Sequence, residues 1–480
     1  MRRIAIICLL ALSGSNVGRA EESNLLLLQT PTVNRTDVAF VYGDDLWMVS
    51  RQGGDARRLT SGMKADNPHF SPDGAHLAFT AEEHGNQDAS SPQGQTQPHA
   101  QPDDVDIFLR SQMQKRHIPG LQVAVVQHGK IVKLGAYGLA NIQDCVPVDN
   151  QTLFQTNSIT KAFTGVAILQ LVEDGKLDLA APPSRYLDGL PAAWQAVTIR
   201  QLLTHTSGLP DIWDNHARLI ADGEDASWAK VQTLPMEFTP GEQFKYNQAN
   251  YVLLGKIIDK LSGQPFTRFI GAGQFDVAAM PLSGFYDSYD VVPHSARVYR
   301  IVDRKMDREA KLGCVFDEFQ PSLRTAAGMN STAKEIARWI IALQQGQLLK
   351  TKDSLATLWA PGVLNDGSVR GFGGPLQGYA LGWPTTIPPE HRAVGGIGGG
   401  RSAFFIYPDD DLAVVILTNL QFGAPESLVF EVAGHYVRSL HPSAGFGLPP
   451  TIKVLRAELI KTGFEHALEV VNEVKKKRSW

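Results

Sequence analysis

Ser158-Ile159-Thr160-Lys161-Ala162-Phe163-Thr164-Gly165 opens a run whose apolar residues Ala162, Val166, Ile168, Leu169 and Leu171 predict a helix over 158–173. Three residues apart on such a helix, Ser158 and Lys161 share one face about one turn apart. A serine hydroxyl attacks an electrophile only after a base has taken its proton. A lysine can be that base only where burial or nearby charge lowers its pKa. The helix N-terminus adds N–H groups suited to a developing oxyanion. Ser-x-x-Lys is a common tetrapeptide, however, and on this pattern alone Ser158 reads first as an ordinary N-cap.

The surrounding phrases change that reading. Leu153-Phe154 precedes the motif. Downstream come Ile199-Arg-Gln-Leu-Leu-Thr-His-Thr-Ser-Gly-Leu-Pro-Asp211 and Pro240-Gly-Glu-Gln-Phe-Lys-Tyr-Asn-Gln-Ala-Asn-Tyr-Val-Leu-Leu-Gly255. Ala327-Gly328-Met-Asn-Ser331-Thr332, Gly378-Tyr-Ala-Leu-Gly-Trp383 and Val414-Val-Ile-Leu-Thr-Asn419 follow. Together they resemble the serine β-lactamase and penicillin-binding-protein superfamily over residues 103–440. The class C branch, shared by class C β-lactamases, family VIII carboxylesterases and D-amino-acid peptidases, is the most similar. The resemblance implies an α+β fold, an antiparallel sheet flanked by helices with an added helical region. It also implies that Ser158 is the acylated nucleophile, Lys161 the lysine sharing its proton, and Tyr246 the tyrosine of a Tyr-x-Asn motif. A tyrosine of ordinary pKa is a poor base at neutral pH unless a cation such as Lys161 favours its phenolate. Lys161 and Tyr246 are therefore expected to act as one proton-shuttling pair.

Two positions depart from the family pattern. The third residue of the tyrosine motif is Gln248, an amide one methylene longer than asparagine, still able to bind a substrate carbonyl or Lys161. The final-strand motif, Lys-Thr-Gly or His-x-Gly, is replaced within Gly395-Gly-Ile-Gly-Gly-Gly-Arg401. Gly396-Ile397-Gly398 aligns with it, so the cationic or imidazole side chain is missing. Gly399 then stands where the family's second oxyanion N–H is donated, and Arg401 is a candidate substitute charge. For the flanking glycines a purely structural turn is an equal reading. His205 reads as a structural histidine of a scaffold loop rather than a catalytic base. His, Asp and Glu do not cluster at ligand spacings, so neither metal nor cofactor is expected.

Outside this block the chain changes character. Arg2-Arg3, the apolar run Ile4–Leu12 and Gly18-Arg19-Ala20 read as a signal peptide over 1–20, giving an exported, periplasmic or secreted protein. Cleavage removes Cys8 and leaves Cys145 and Cys314, which could pair in an oxidising compartment. Residues 24–80 alternate as hairpins, and Phe70-Ser-Pro-Asp-Gly74 with Leu77-Ala-Phe79 resembles a blade of TolB-like and tricorn-like β-propellers. One blade and a half cannot close a propeller. A polar, proline-dotted linker covers 81–102, and 441–480 reads as a helical extension ending in Lys475-Lys-Lys-Arg478.

The chain's 480 residues carry 45 Lys and Arg against 49 Asp and Glu, a net charge of −4 that argues against a nucleic-acid partner. Its three cysteines exclude a disulfide scaffold. No stretch reaches the roughly 18 apolar residues of a membrane span. The expected activity is that of an exported serine hydrolase working through an acyl-enzyme on small carboxylic esters. β-Lactam or D-Ala-D-Ala-type peptide hydrolysis is the alternative within the class. A non-catalytic binding or regulatory protein on a degenerate hydrolase scaffold is the alternative outside it. Oligomeric state is not legible.

Overall fold

The computed structural model describes residues 29–42, 45–54, 56–60, 63–70, 77–83, 104–214, 218–287, 289–302, 311–316, 320–387 and 391–440. The expected signal peptide, most of the linker, the Ser71–Gly74 turn and the 441–480 extension lie outside them. Contacts divide the chain into two units, Met1–His99 and Ala100–Trp480.

In the first unit, strands Gln29–Val33, Asp37–Tyr42, Asp45–Ser50 and Arg57–Arg58 form an antiparallel meander, and Met63–Phe70 pairs with Leu77–Glu83. Period-two alternation puts Ala39 and Val41 on one face, where they pack with Leu46 against Leu59, Phe70 and Leu77.

The second unit is built on an eight-stranded antiparallel sheet. Its order is Gly378–Tyr379, Pro384–Thr385, Val394–Gly398, Ser402–Tyr407, Leu412–Thr418, Gly120–Gln127, Lys130–Asn141, Val146–Pro147. The first long strand therefore pairs with the last, with Leu121 opposite Thr418 and Gln127 opposite Leu412. The His128-Gly129 turn joining Gly120–Gln127 to Lys130–Asn141 has positive φ at both residues, which matches the right-handed twist of a hairpin.

The central strands read as continuous apolar runs because both of their faces are covered. Val123, Val125, Val414 and Ile416 pack against Val105 and Leu109 of the Asp104–Arg116 helix and Leu428, Val429 and Val432 of the Pro425–Tyr436 helix. Ala124, Val126, Ala413, Val415 and Leu417 face the larger core around the Thr160–Glu173 and Ala333–Gln344 helices. The Thr160–Glu173 helix is buried on nearly every side, so its sequence shows little polar face. A small sheet, Phe154–Gln155, Met329–Ser331 and Gly284–Phe285, brings the chain to the N-terminus of that helix.

Candidate active site

The α-helix begins two residues later than the apolar pattern suggests. Asn157–Ile159 is a 3₁₀ turn and Thr160 opens the α-helix, with no side chain capping either. Ser158 is thus not the N-cap. It sits half-buried on a tight turn, after Asn157 in the left-handed region (φ 49°), a conformation that asparagine tolerates better than most residues.

Hydrogen bonds clamp this turn from three sides. Thr156 donates N–H and Oγ1–H to the Met329 carbonyl (2.9 and 2.8 Å), and the Thr160 hydroxyl donates to the Asn157 carbonyl (2.6 Å). The Ser402 hydroxyl donates to the Thr156 carbonyl (2.7 Å). The nucleophile candidate is therefore held by the small sheet, by its own helix and by the large sheet at once.

Lys161, one turn on, is fully buried. Its Nζ donates to Ser158 Oγ (3.2 Å), Gln248 Oε1 (3.0 Å) and the Ala326 carbonyl (3.0 Å). It also lies 4.7 Å from the Tyr246 ring centroid and 5.1 Å from that of Tyr251, within cation–π range. Burial pulls its pKa from 10.5 down to about 7, and the Asp211 carboxylate partly opposes the fall. Tyr246 is hydrogen-bonded to Ser158, while burial pushes its phenol well above the ordinary range. In the resting site the phenol keeps its proton, and Lys161 is the group poised between its two forms. The Ser158 proton therefore has an acceptor within reach at neutral pH.

Gln248 occupies the N-cap position of the Ala249–Ser262 helix and turns its amide oxygen to Lys161. Asp211 holds that helix start in place by accepting from the N–H groups of Ile212 (2.7 Å), Gln248 (3.0 Å) and Ala249 (3.1 Å). Burial raises its carboxyl pKa and these N–H groups oppose the rise, with the helix dipole favouring the anion as well. Sequence reading missed Asp211 as a site residue, although it ends the Leu-Thr-His-Thr-Ser-Gly-Leu-Pro phrase.

His205 lies in the same wall, its ring 4.3 Å from that of Tyr246 and 4.9 Å from that of Tyr379. Its Nδ1 accepts the Asn247 N–H (3.1 Å), which leaves the ring proton on Nε2. Burial first, and the Lys161 charge second, hold its pKa well below the usual imidazole value. It stays neutral and makes no hydrogen bond to Ser158, Lys161 or Tyr246 among the described residues.

The strand Val394–Gly398 borders the serine turn from the other side. A Cβ on Gly398 would stand 1.8 Å from the Thr156 carbonyl, so only glycine allows that approach. Gly399 has φ +56°, and a Cβ there would come within 2.0 Å of the Asn157 amide. These two glycines place the strand end directly beside Ser158. Gly396 is buried opposite Phe404, whose ring lies 2.7 Å from where its Cβ would be, with Ile159 at 3.2 Å. An aromatic ring thus packs where the missing side chain would begin. Arg401, expected as a substitute charge for the substrate, is 1% exposed. Its Nη2 and Nε donate to the Asn157 amide oxygen (2.7 and 3.0 Å), and burial lowers its pKa to about 10. Its charge supports the serine turn from within instead of facing a ligand. Cys145 and Cys314 are both free and exposed.

The geometry finds counterparts among known proteins. Residues 105–431 match the Beta-lactamase family, and residues 25–92 match the Tricorn protease N-terminal β-propeller domain. Penicillin-binding protein 4* of Bacillus subtilis (strain 168) is 28% identical over 369 residues, 72% of this chain and 76% of that protein. Protein flp of Staphylococcus aureus (strain N315) is 28% identical over 327 residues, 66% of this chain. The chain spans only 62% of the length of protein flp. Among solved structures, the octameric penicillin-binding protein homologue from Pyrococcus abyssi superposes with a TM-score of 0.60 at 23% identity. That match covers 73% of this chain and 80% of the other. With the family match spanning most of its length and a serine–lysine–tyrosine cluster at the expected place, the chain belongs to the β-lactamase and penicillin-binding-protein family of serine hydrolases.

Proposed function

We propose that this protein hydrolyses small carboxylic esters through an acyl-enzyme on Ser158. The observation that carries the reading is Lys161 Nζ, 3.2 Å from Ser158 Oγ and buried enough to be substantially neutral near pH 7. Neutral Lys161 takes the hydroxyl proton as Oγ bonds to the ester carbonyl carbon. The Ser158 and Gly399 N–H groups hold the resulting oxyanion. Lys161 and Tyr246 return a proton to the leaving oxygen as its bond to carbon breaks. Water then adds to the acyl-enzyme, the acid leaves, and Ser158 regains its proton.

Preference for esters over β-lactams or C-terminal peptides rests on charge. Those substrates present a carboxylate, yet position 396 has no side chain and Arg401 is turned onto Asn157. Two exposed aromatics favour uncharged groups instead. Phe372 lies 5.3 Å from the Tyr246 ring, and Phe422 backs Gly400 beside the oxyanion turn. Likeness to penicillin-binding protein 4*, by its name a binder of penicillin, favours a β-lactam substrate as the second reading, with D-Ala-D-Ala peptides beside it. We further place the enzyme outside the cytoplasm, on the strength of the N-terminal basic and apolar run.

Turnover of p-nitrophenyl butyrate, nitrocefin and a D-Ala-D-Ala peptide decides among these, with Ser158→Ala as control. The ester should be turned over fastest, and a fluorophosphonate should label the wild type but not Ser158→Ala. A clear preference for nitrocefin or the peptide overturns the ester reading. If no probe labels the protein and none of the three substrates is turned over, the acyl-enzyme is overturned.

A further inference from the structure

Two peptide planes carry the N–H groups assigned above to the oxyanion. The Ser158 N–H shares its plane with the Asn157 carbonyl, and the Gly399 N–H shares its plane with the Gly398 carbonyl. In a trans peptide the N–H and C=O point opposite ways, so whatever fixes the carbonyl also aims the donor. The Asn157 carbonyl accepts the Thr160 hydroxyl (2.6 Å). The Gly398 carbonyl accepts the Arg401 N–H (3.0 Å) and the Ser402 hydroxyl (3.1 Å). Neither plane is fixed by its own stretch of chain. Asn157 sits in the left-handed region (φ 49°), which an asparagine visits but does not prefer. Gly399 and Gly400, at φ 56° and 65°, form the turn between the paired strands Val394–Gly398 and Ser402–Tyr407, and glycine leaves such a conformation easily.

Arg401 ties the two planes together. Its backbone N–H closes the glycine turn, while its guanidinium Nη2 and Nε donate to the Asn157 amide oxygen (2.7 and 3.0 Å). Its own carbonyl is anchored to the next strand by the Thr418 N–H (2.7 Å) and hydroxyl (2.9 Å). The Asn157 amide in turn packs directly on Gly399, where a Cβ would stand 2.0 Å from that amide and 3.1 Å from Arg401 Nε. Burying a guanidinium is costly, and this one is buried with its fork closed on the residue that precedes the nucleophile.

We infer that Arg401 is a positioning residue that holds the Ser158 and Gly399 N–H groups in register as one oxyanion hole. It acts through Asn157 and through the glycine turn, and touches neither the substrate nor the reacting atoms. The inference rests on the acyl-enzyme reading above. Its consequence is specific: loss of Arg401 weakens the steps in which a carbonyl oxygen gains negative charge, and spares reactions that draw little on those two donors.

A thionoester separates this role from a merely structural one. Its sulfur is larger than oxygen and a weak hydrogen-bond acceptor, so donors placed for an oxyanion help it little. p-Nitrophenyl butyrate and its thiono analogue, with sulfur in place of the carbonyl oxygen, release the same p-nitrophenol. The ratio of their kcat/KM values, ester over thionoester, is measured in each variant and divided by the wild-type ratio, which cancels their intrinsic reactivity. In Arg401→Met it should fall about tenfold or more, because a misplaced donor forfeits much of the roughly 10²- to 10³-fold such a donor supplies. Asn157→Gly deletes the amide but keeps a residue at ease with positive φ, and should lower the ratio by a similar factor. The double variant should be no lower than the poorer single one, since both break one link. Arg401→Lys, which keeps the cation but loses the fork, should also fall, and with Asn157→Gly guards against a folding failure of Arg401→Met. With Ser158 labelled by fluorophosphonate in these variants, an unchanged ratio overturns the positioning role, whether both rates hold or both fall together. Losses that multiply in the double variant overturn the link through Asn157. Absence of Ser158 labelling in the wild type overturns the acyl-enzyme reading and this inference with it.

Discussion

The acid side of the pH–rate profile is the most direct test of the proton machinery. A lysine left at its ordinary pKa of 10.5 would be unprotonated in about one molecule in 3,000 at pH 7, whereas at about 7 half the molecules carry the base. Burial of Lys161 thus raises the competent fraction by roughly three orders of magnitude at neutral pH. Because the neutral form is the active one, kcat/KM should fall as pH drops through about 7, approaching tenfold per pH unit below about pH 6. The limb belongs to the Lys161–Tyr246 pair as a coupled unit. Asp211 supplies the direction of a second perturbation. Its negative charge holds the Lys161 pKa up, so Asp211→Asn, which keeps an acceptor for the N–H groups at Gln248 and Ala249, should move the limb to lower pH. His205, neutral and held well below its usual pKa, contributes no limb in this range. The assay is initial-rate hydrolysis of a p-nitrophenyl ester between about pH 5 and 9, in the wild type and Asp211→Asn, per labelled active site. A flat wild-type profile down to about pH 5, or a limb that moves upward in Asp211→Asn, refutes the assignment of Lys161 as the resting base.

Stability carries the same signature with the opposite benefit. The folded pKa of Lys161 lies below its unfolded value, so the native state is penalised fully below about pH 7 and the penalty fades as pH rises toward 10.5. That difference amounts to at most about 5 kcal/mol, reduced by the unpaired Ala326 carbonyl and Gln248 amide that removal leaves behind. Lys161→Met should therefore raise Tm near pH 6, with a smaller gain near pH 10, as followed by calorimetry. In rate measurements, Lys161→Ala and Tyr246→Phe should each lower kcat by about 10²- to 10⁴-fold. The double variant should be little worse than the poorer single one, because both act on one proton transfer. Gly398→Ala should lose stability by about 1–3 kcal/mol and most of its activity, since its methyl group would displace the Thr156 carbonyl. His205→Ala should lower Tm but leave turnover per labelled site nearly intact. Full loss in a folded protein would instead indicate a serine–histidine mechanism.

What the sequence could show of this molecule follows from the range of the interactions involved. The long central strands and helices of the second unit were legible because each rests on a local period, such as the apolar run Leu412–Thr418 between two covered faces, whereas the glycine-rich strand Val394–Gly398 carries no such period. Ser158 and Lys161 share a helix face by spacing alone, but their reading as a site, and that of Tyr246, came from the resemblance of the surrounding phrases to a known family. The Ser158 turn itself was not. Its 3₁₀ geometry comes from Met329 and Ser402, at sequence separations of 173 and 246 residues from Thr156. Arg401 misled for the same reason: a charge near the site is visible in the sequence, but its direction depends on Asn157, far away along the chain. The pKa of Lys161 is the extreme case. No residue near it in sequence lowers it. The lowering comes from burial beneath the Tyr246–Tyr251 stretch and Ala326, both far from Lys161 along the chain. Four consecutive letters therefore suggest a nucleophile and its base only in the company of the surrounding phrases, and whether that base is neutral at the working pH is decided only when two distant segments close over it.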